Sequence, residues 1–461
     1  MRSIYRIGIG FLVGLFFAAG YTARTISMER ERAAAEALRQ GPISVPGVSI
    51  ASTRLVGGDV DLEPLETMWE VLKHLREHYV EPISPSKEGE MTYDSLRAML
   101  ASLDDPNTRF LEPAQRKLVT DAAEGKFHGI GAVLGIKRVK IGKITEEHLI
   151  VIAPLEGGPA DQAGLKPGDD IVKIDGRDVL PLQPYQRAEE MVKDERTKSS
   201  LELRKDLEAE RKRIENGIGI FDAEDLLVSD PNENEKKEVE LTVVRQGSPK
   251  ELQLKVARQL FSPTPVESSI FENGTVGYIK VNCIARNTGE RLADALKNLR
   301  SENVKGLVLD LRNLAGGEVS SILKIAEPFL SGKILAIEMK SRGRREQIQV
   351  PVASTEERWT KPIVVLVNSG TARMPEILAA ALRENIGAKL VGEKTYGDFS
   401  AITLIDQADG SAVAMTTGAF LTGKGGNYNG KGVPVDVEVA SAKGDPQLKT
   451  ALKLAAKGGR G

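Results

Sequence analysis

The sequence is short of several things, and each shortage excludes something. Of 461 residues only one is cysteine, Cys283. An internal disulfide or a cysteine-rich zinc site is therefore ruled out, and Lys-Val-Asn-Cys-Ile around it reads as a strand with a buried thiol. Net charge is nearly absent, since 63 lysines and arginines meet 65 aspartates and glutamates. That balance gives no electrostatic reason to expect nucleic acid or an anionic surface as partner. Internal repeats are absent too. What is there is ordinary for a folded protein: 41% hydrophobic and 28% charged residues, in a length that suits two to four domains.

The one long uncharged run is at the N-terminus. Arg2 and Arg6 precede a mostly apolar stretch over residues 7–23, the pattern of a secretory signal or a signal anchor. It is at the lower limit for a bilayer span. Tyr21 spoils the small-residue cleavage pattern before Ala23, so residues 1–26 are read as an anchor in preference to a cleaved signal. Either way the bulk of the chain is expected outside the cytoplasmic membrane. Residues 27–61 read as a helical stalk and a Gly/Pro-rich linker. Residues 62–125 read as an N-terminal helical domain, with Leu65, Met68, Trp69, Leu72, Leu75 and Tyr79 on one face.

Residues 126–258 read as a β-rich domain carrying a highly charged helical insert over about 194–238, a solvated surface feature. From Val276 onward strands and helices alternate, which implies an α/β layer around a central sheet over residues 259–440. Residues 441–461 are a tail. The fold class is thus multidomain α/β.

Specific motifs sharpen this. Residues 157–171, Gly-Gly-Pro-Ala-Asp-Gln-Ala-Gly-Leu-Lys-Pro-Gly-Asp-Asp-Ile, followed by Ile174-Asp175-Gly176, resemble the core of a PDZ domain. Phe127-His128-Gly129-Ile130-Gly131-Ala132 is similar to the PDZ loop that receives a chain end. At Gly129, Ile130 and Gly131 backbone N–H groups are expected to converge on a peptide carboxylate, with the next strand edge accepting the peptide.

Four more segments stand in order. They are Ser-Leu-Asp-Asp-Pro-Asn-Thr-Arg-Phe-Leu (102–111), Gly-Leu-Val-Leu-Asp-Leu-Arg-Asn-Leu-Ala-Gly-Gly (306–317), Val-Gly-Glu-Lys-Thr-Tyr-Gly (391–397) and Gly-Lys-Gly-Val-Pro-Val-Asp-Val (430–437). Together they resemble the C-terminal processing, or tail-specific, serine peptidases over residues 62–440. That resemblance implies a PDZ domain beside an α/β peptidase core. It also implies a serine nucleophile at a helix start, a lysine base 25 residues later and a glutamine that holds the lysine. Aligned on Glu376, those positions hold Arg373, Asp398 and Ile402. In the first motif the usual His-Ser is Asn107-Thr108. Gly316 and Gly317 stand where an oxyanion loop would be.

Chemistry weighs against catalysis at these positions. A guanidinium has no usable lone pair, and an aspartate cannot replace a neutral amine. An Arg–Asp pair can instead bridge the site as a salt bridge. The expectation is a member of the family that binds peptides without cutting them, a scaffold or regulator in the cell envelope. Its expected partners are unfolded or C-terminal peptide segments, the membrane, and either a second copy or an active paralogue. The alternative is an active endopeptidase with a relocated nucleophile at Ser369, Thr371 or Ser400, with Lys394 as the nearby amine. His74-Leu75-Arg76-Glu77-His78 fits an inverted zinc-peptidase pattern. It lacks a third ligand and is read as a chance match, so neither metal nor cofactor is expected.

Overall fold

The computed structural model describes residues 63–193, 200–230, 235–248 and 250–458. The run at residues 7–23 and the linker before the first helix lie outside them. No helix among the described residues is long and apolar enough to cross a membrane.

The chain forms two units, residues 1–83 and 84–461. The first contributes one described helix, Glu63–His78. Trp69 and Val71 on it are exposed, and the rings of His74 and His78 stack at 5.8 Å between centroids. The larger unit begins with the helix Pro85–Ala101. Ser84 caps it by accepting the N–H of Lys87 at 3.2 Å, and Pro85 occupies its first turn, where no N–H partner is needed.

Residues 62–125 therefore do not make a separate helical domain, as the sequence suggested. The strand Arg109–Leu111 pairs with Ala412–Thr422 of the core, three hundred residues away. Only this long-range pairing assigns it, and three residues carry no periodicity to announce it.

The PDZ part is built on a seven-stranded sheet. Ala132–Ile141 lies at one edge, followed by Ile144–Pro154, Asp170–Ile174, Arg177–Leu180 and Ile218–Gly219. Glu238–Val244 joins through Asp170–Ile174 and carries Leu252–Ala257 on its other side. The insert is bounded differently from the expectation. Gln186–Lys193 and Ser200–Asn216 are its helices. The helix Ile220–Val228, by contrast, is a core element. Its Ile220, Ala223 and Leu227 are buried with Ile130, Leu149, Ile171 and Leu241. Residues 220–228 look charged because Asp222, Glu224 and Asp225 interleave with the apolar positions, and tertiary packing decided the matter.

The peptidase-like core is a six-stranded sheet in the order Val437–Glu438, Lys389–Gly392, Ile363–Val367, Gly306–Asp310, Val276–Val281, Val266–Phe271. All pairs are parallel except the last. Strand alternation splits the side chains between two layers. Leu307, Leu309, Val365 and Val367 pack with the helices Thr288–Ser301, Val319–Leu330 and Met374–Ile386. Val308, Val364 and Leu366 face Ala451, Leu452 and Ala455 of the helix Pro446–Ala456. A second sheet, Arg109–Leu111, Ala412–Thr422, Ile334–Lys340 and Arg345–Gln349 with Ser400–Asp406 alongside, was not legible in the sequence. Cys283 is buried just beyond Val276–Val281, and burial pushes its thiol up to about 12.

Candidate active site

Three loops converge at the carboxyl ends of three adjacent parallel strands. Gly316 and Gly317 follow Gly306–Asp310, Arg373 follows Ile363–Val367, and Asp398 follows Lys389–Gly392. This is where open α/β sheets place their ligands.

The first turn is fixed from within. Asp310 is fully buried and is gripped by Arg312, which also reaches Asp445 at the start of the last helix. Asn313 adopts φ 54° and its Oδ1 accepts from Asn368 Nδ2 at 2.7 Å, tying this turn to the next. Gly316 has φ 83° and Gly317 φ 90°. A Cβ on Gly317 would lie 2.6 Å from Ile284. The N–H of Gly316 donates to the carbonyl of Ala372 at 3.3 Å. That donor is therefore spent within the fold.

Arg373 sits at the junction of strand, turn and helix, as the N-cap of Met374–Ile386. Its backbone is at φ 63°, ψ −123°, a sparsely populated region for a residue with a side chain. Such strain costs about 1–3 kcal/mol and persists only where the surroundings over-determine it. Sharp strained turns of this kind present the nucleophile in many hydrolases.

What holds the turn is Glu376. Its carboxylate is fully buried and accepts from four donors: Arg373 N–H at 2.9 Å, Asp398 N–H at 2.9 Å, Gly397 N–H at 2.6 Å and the hydroxyl of Thr395. Burial pushes its pKa up to about 7, against the pull of those hydrogen bonds. Glu376 served in the sequence only as an alignment anchor. Its role as the clamp between the two loops emerges from their proximity.

The side chains of Arg373 and Asp398 meet. Nε donates to Oδ2 at 2.8 Å, and Oδ1 accepts the N–H of Ser400 at 3.1 Å. Arg373 Nη2 donates at 3.3 Å to Asn107 Oδ1, bringing in a residue whose contact the sequence did not foretell. Asn107 is held there by its own turn. Asp105 accepts its N–H and the hydroxyl of Thr108, and Thr108 in turn accepts the N–H of Thr416. Ile402 packs against Leu111, Ala412 and Ala414 in the second sheet.

The ion pair is partly screened, with side chains 30% and 12% exposed. Arg373→Ala should therefore cost about 2 kcal/mol, between the values for exposed and buried pairs. Arg373→Gly loses the same pair but relieves the backbone, and should cost about 1 kcal/mol less. Urea unfolding of both variants checks this. Equal losses would mean the turn stores no strain.

The other candidate hydroxyls are placed as follows. Thr371 is fully buried and its hydroxyl donates to the carbonyl of Leu311 at 2.8 Å, a structural bond. Ser369 and Lys394 are exposed, each shortly before a buried threonine, Thr371 and Thr395. Ser400 opens the strand Ser400–Asp406. Among the described residues no three His, Cys, Asp or Glu side chains gather as a metal site.

In the PDZ part the expectation for Ile130 needs correction. Its N–H donates to the carbonyl of Leu227 at 2.8 Å and the residue is fully buried. It is thus not free to meet a carboxylate. The cause is the helix Ile220–Val228, whose end abuts the loop. Gly129 (φ 84°) is glycine because a Cβ would lie 2.0 Å from that same carbonyl. Gly131 (φ 69°) is likewise pressed against Pro159. The edge of Ala132–Ile141 pairs on one side only, with Ile144–Pro154, and keeps the geometry for adding an extended peptide. Arg109 joins this helix to the core through Glu224 at 2.5 Å.

Comparison with known proteins agrees with this architecture. Residues 275–439 match the model of peptidase family S41, and residues 150–205 match a PDZ domain. A carboxyl-terminal-processing protease of Synechocystis is 32% identical over 76% of this chain and 70% of its own length. The chain belongs to peptidase family S41. The carboxy-terminal processing protease CtpA of Bacillus subtilis is 28% identical, over 86% of this chain and 72% of that protein. Among solved structures, a photosystem II D1 C-terminal processing protease aligns with a TM-score of 0.58 at 27% identity, over 84% of this chain and 91% of that one. This S41 chain is thus a serine-type, C-terminal processing peptidase by family, with an arginine and an aspartate at the strained turn and the facing loop.

Proposed function

We propose that this family member binds peptide segments without hydrolysing them, as a scaffold or regulator in the cell envelope. One observation carries the reading: Arg373 Nε bonds Asp398 Oδ2 at 2.8 Å where the family's nucleophile and base would meet. An arginine stays protonated and offers no lone pair, so it neither attacks a carbonyl nor accepts a proton. The relatives are named for processing carboxyl termini, which favours chain ends or unfolded segments as the ligands here.

Purified protein incubated with a disordered substrate, from mildly acid to mildly alkaline pH, is expected to leave it intact. A parallel Ser369→Ala, Thr371→Ala, Ser400→Ala triple variant completes the test. Robust cleavage by the parent that the triple variant loses would mean that the reaction has moved to another nucleophile.

The envelope part of the proposal rests on the Arg2/Arg6 flank and the uncharged run at residues 7–23, which would tether the chain with its bulk outside. A second copy or an active paralogue is the proposed protein partner. Fractionation with N-terminal sequencing is expected to find the intact chain in the membrane. A soluble form beginning at Arg24 would remove the anchor but keep export, and a full-length cytoplasmic protein would remove both.

A further inference from the structure

We propose that Arg373 is a receptor for the free α-carboxylate of a protein chain end. The inference rests on the binding reading above and says which ligand group the altered site takes.

The donor inventory of the arginine comes first. A guanidinium has five N–H donors in a planar fork. Nε–H is committed to Asp398, and one Nη2–H makes a long 3.3 Å bond to Asn107. Nη1 has no partner among the described residues. The open edge is thus the one formed by the two terminal nitrogens, the edge that pairs bidentately with carboxylates. The side chain is 30% exposed, so it is not sealed inside the protein.

Orientation comes next. Asp398 is only 12% exposed and is itself pinned, through Oδ1 and the N–H of Ser400. It therefore acts as a fixed support that sets the plane of the fork. Glu376 fixes the backbone of both residues by accepting both of their N–H groups. The side chain is thus held in advance of binding, which lowers the ordering cost on association.

The ligand follows from the location. In a serine peptidase the acyl half of the substrate stays at the nucleophile until water releases it as a carboxylic acid. The product carboxylate consequently lies beside the nucleophile. Here that strained turn carries a cation with an open fork. The site is complementary to the end of a chain already cut, and not to an unbroken peptide bond. In the PDZ loop the N–H of Ile130 is already spent on Leu227.

Charge predicts the response to substitution. Asp398 already neutralises Arg373, so a second carboxylate binds against a nearby negative charge. Asp398→Asn keeps the shape and removes that charge, and should tighten carboxylate binding. Arg373→Gln removes the fork, and Arg373→Lys keeps the charge without the bidentate geometry.

The test uses the full chain and a short, apolar, fluorescein-labelled peptide made both as the free acid and as the C-terminal amide. Anisotropy titration should give about tenfold tighter binding of the acid, a difference typical of one charge-assisted contact. Arg373→Gln should lower acid binding to the level of the amide. Arg373→Lys should retain part of the preference, and Asp398→Asn should increase it several-fold. Melting curves check that each variant is folded. If Arg373→Gln does not fold, the Asp398→Asn arm decides alone. Equal binding of acid and amide by the parent overturns the inference. A preference that survives Arg373→Gln, or is untouched by Asp398→Asn, also overturns it and places carboxylate capture elsewhere, with peptide binding itself intact. Cleavage of the peptide by the parent would instead overturn the non-hydrolysing reading.

Discussion

Exchanging Arg373→Ser and Asp398→Lys together is expected to create cleavage of a disordered substrate at about a hundredfold or more above the parent's background, where each single exchange creates none. The reason lies in what the fold has kept. The turn at residue 373 is in a strained conformation of the kind that presents a nucleophile, and residue 398 faces it, 25 residues later in the chain. Glu376 clamps the backbone of both positions, so the new side chains would start from the same two points. Near-attack geometry of this sort is worth large factors in rate. Nucleophile and base act as a unit, so the singles should be silent and the pair should not be additive. Revival should remain partial, because the N–H of Gly316 is bonded to Ala372 and the loss of one oxyanion donor typically costs about 10²–10³ in rate. Adding Ile402→Gln should help little, since Ile402 is packed against Leu111, Ala412 and Ala414 in the second sheet. Initial rates of the four variants on one substrate decide the matter. A double variant no faster than the singles would show that the surroundings, and not the two residues, block the chemistry.

The largest loss of stability should come from Glu376. Its carboxylate satisfies three backbone N–H groups and the hydroxyl of Thr395 inside the core. Glu376→Ala leaves those donors buried and unmet at about 1–3 kcal/mol for each that finds no water. A total of about 4 kcal/mol or more, with loosening of both loops, is expected. Glu376→Gln keeps the shape but turns an NH₂ group towards N–H donors, so it should be destabilising too, though less.

The pH dependence separates charge from shape. In the folded state burial pushes the pKa of Glu376 from 4.5 up to about 7. The folded form therefore holds its proton more tightly than the unfolded one. The resulting stabilisation is fully present below about pH 4.5 and is lost as the pH rises through about 7, a change of about 3 kcal/mol. Denaturant unfolding of parent and Glu376→Gln across pH 5 to 8 should show the parent losing more stability than the variant as the pH rises. A constant difference between the two would mean that Glu376 stays ionised throughout.

The sequence by itself determined the family and the order of the modules, and through the resemblance it carried the expectation that Arg373 and Asp398 stand at the nucleophile and base positions. These are local matters: glycines at fixed spacing mark turns that need positive φ, and the motifs at residues 306–317 and 391–397 carry their own strand-and-turn chemistry. It also carried the expectation that Arg373 can bridge to Asp398, because the resemblance places these two positions where nucleophile and base meet and opposite charges can pair there.

The tertiary structure decided what depends on neighbours distant in the chain. Arg109–Leu111 became a core strand through a partner at Ala412–Ala414. Ile220–Val228 left the charged insert because three of its apolar side chains complete the PDZ core. That same packing took the Ile130 N–H away from the carboxylate-binding role its glycine neighbours suggested. Glu376 and Asn107 became part of the site only when separate loops met around them. A buried hydrogen-bond network is a property of convergence, and spacing along one chain does not encode which donors will arrive.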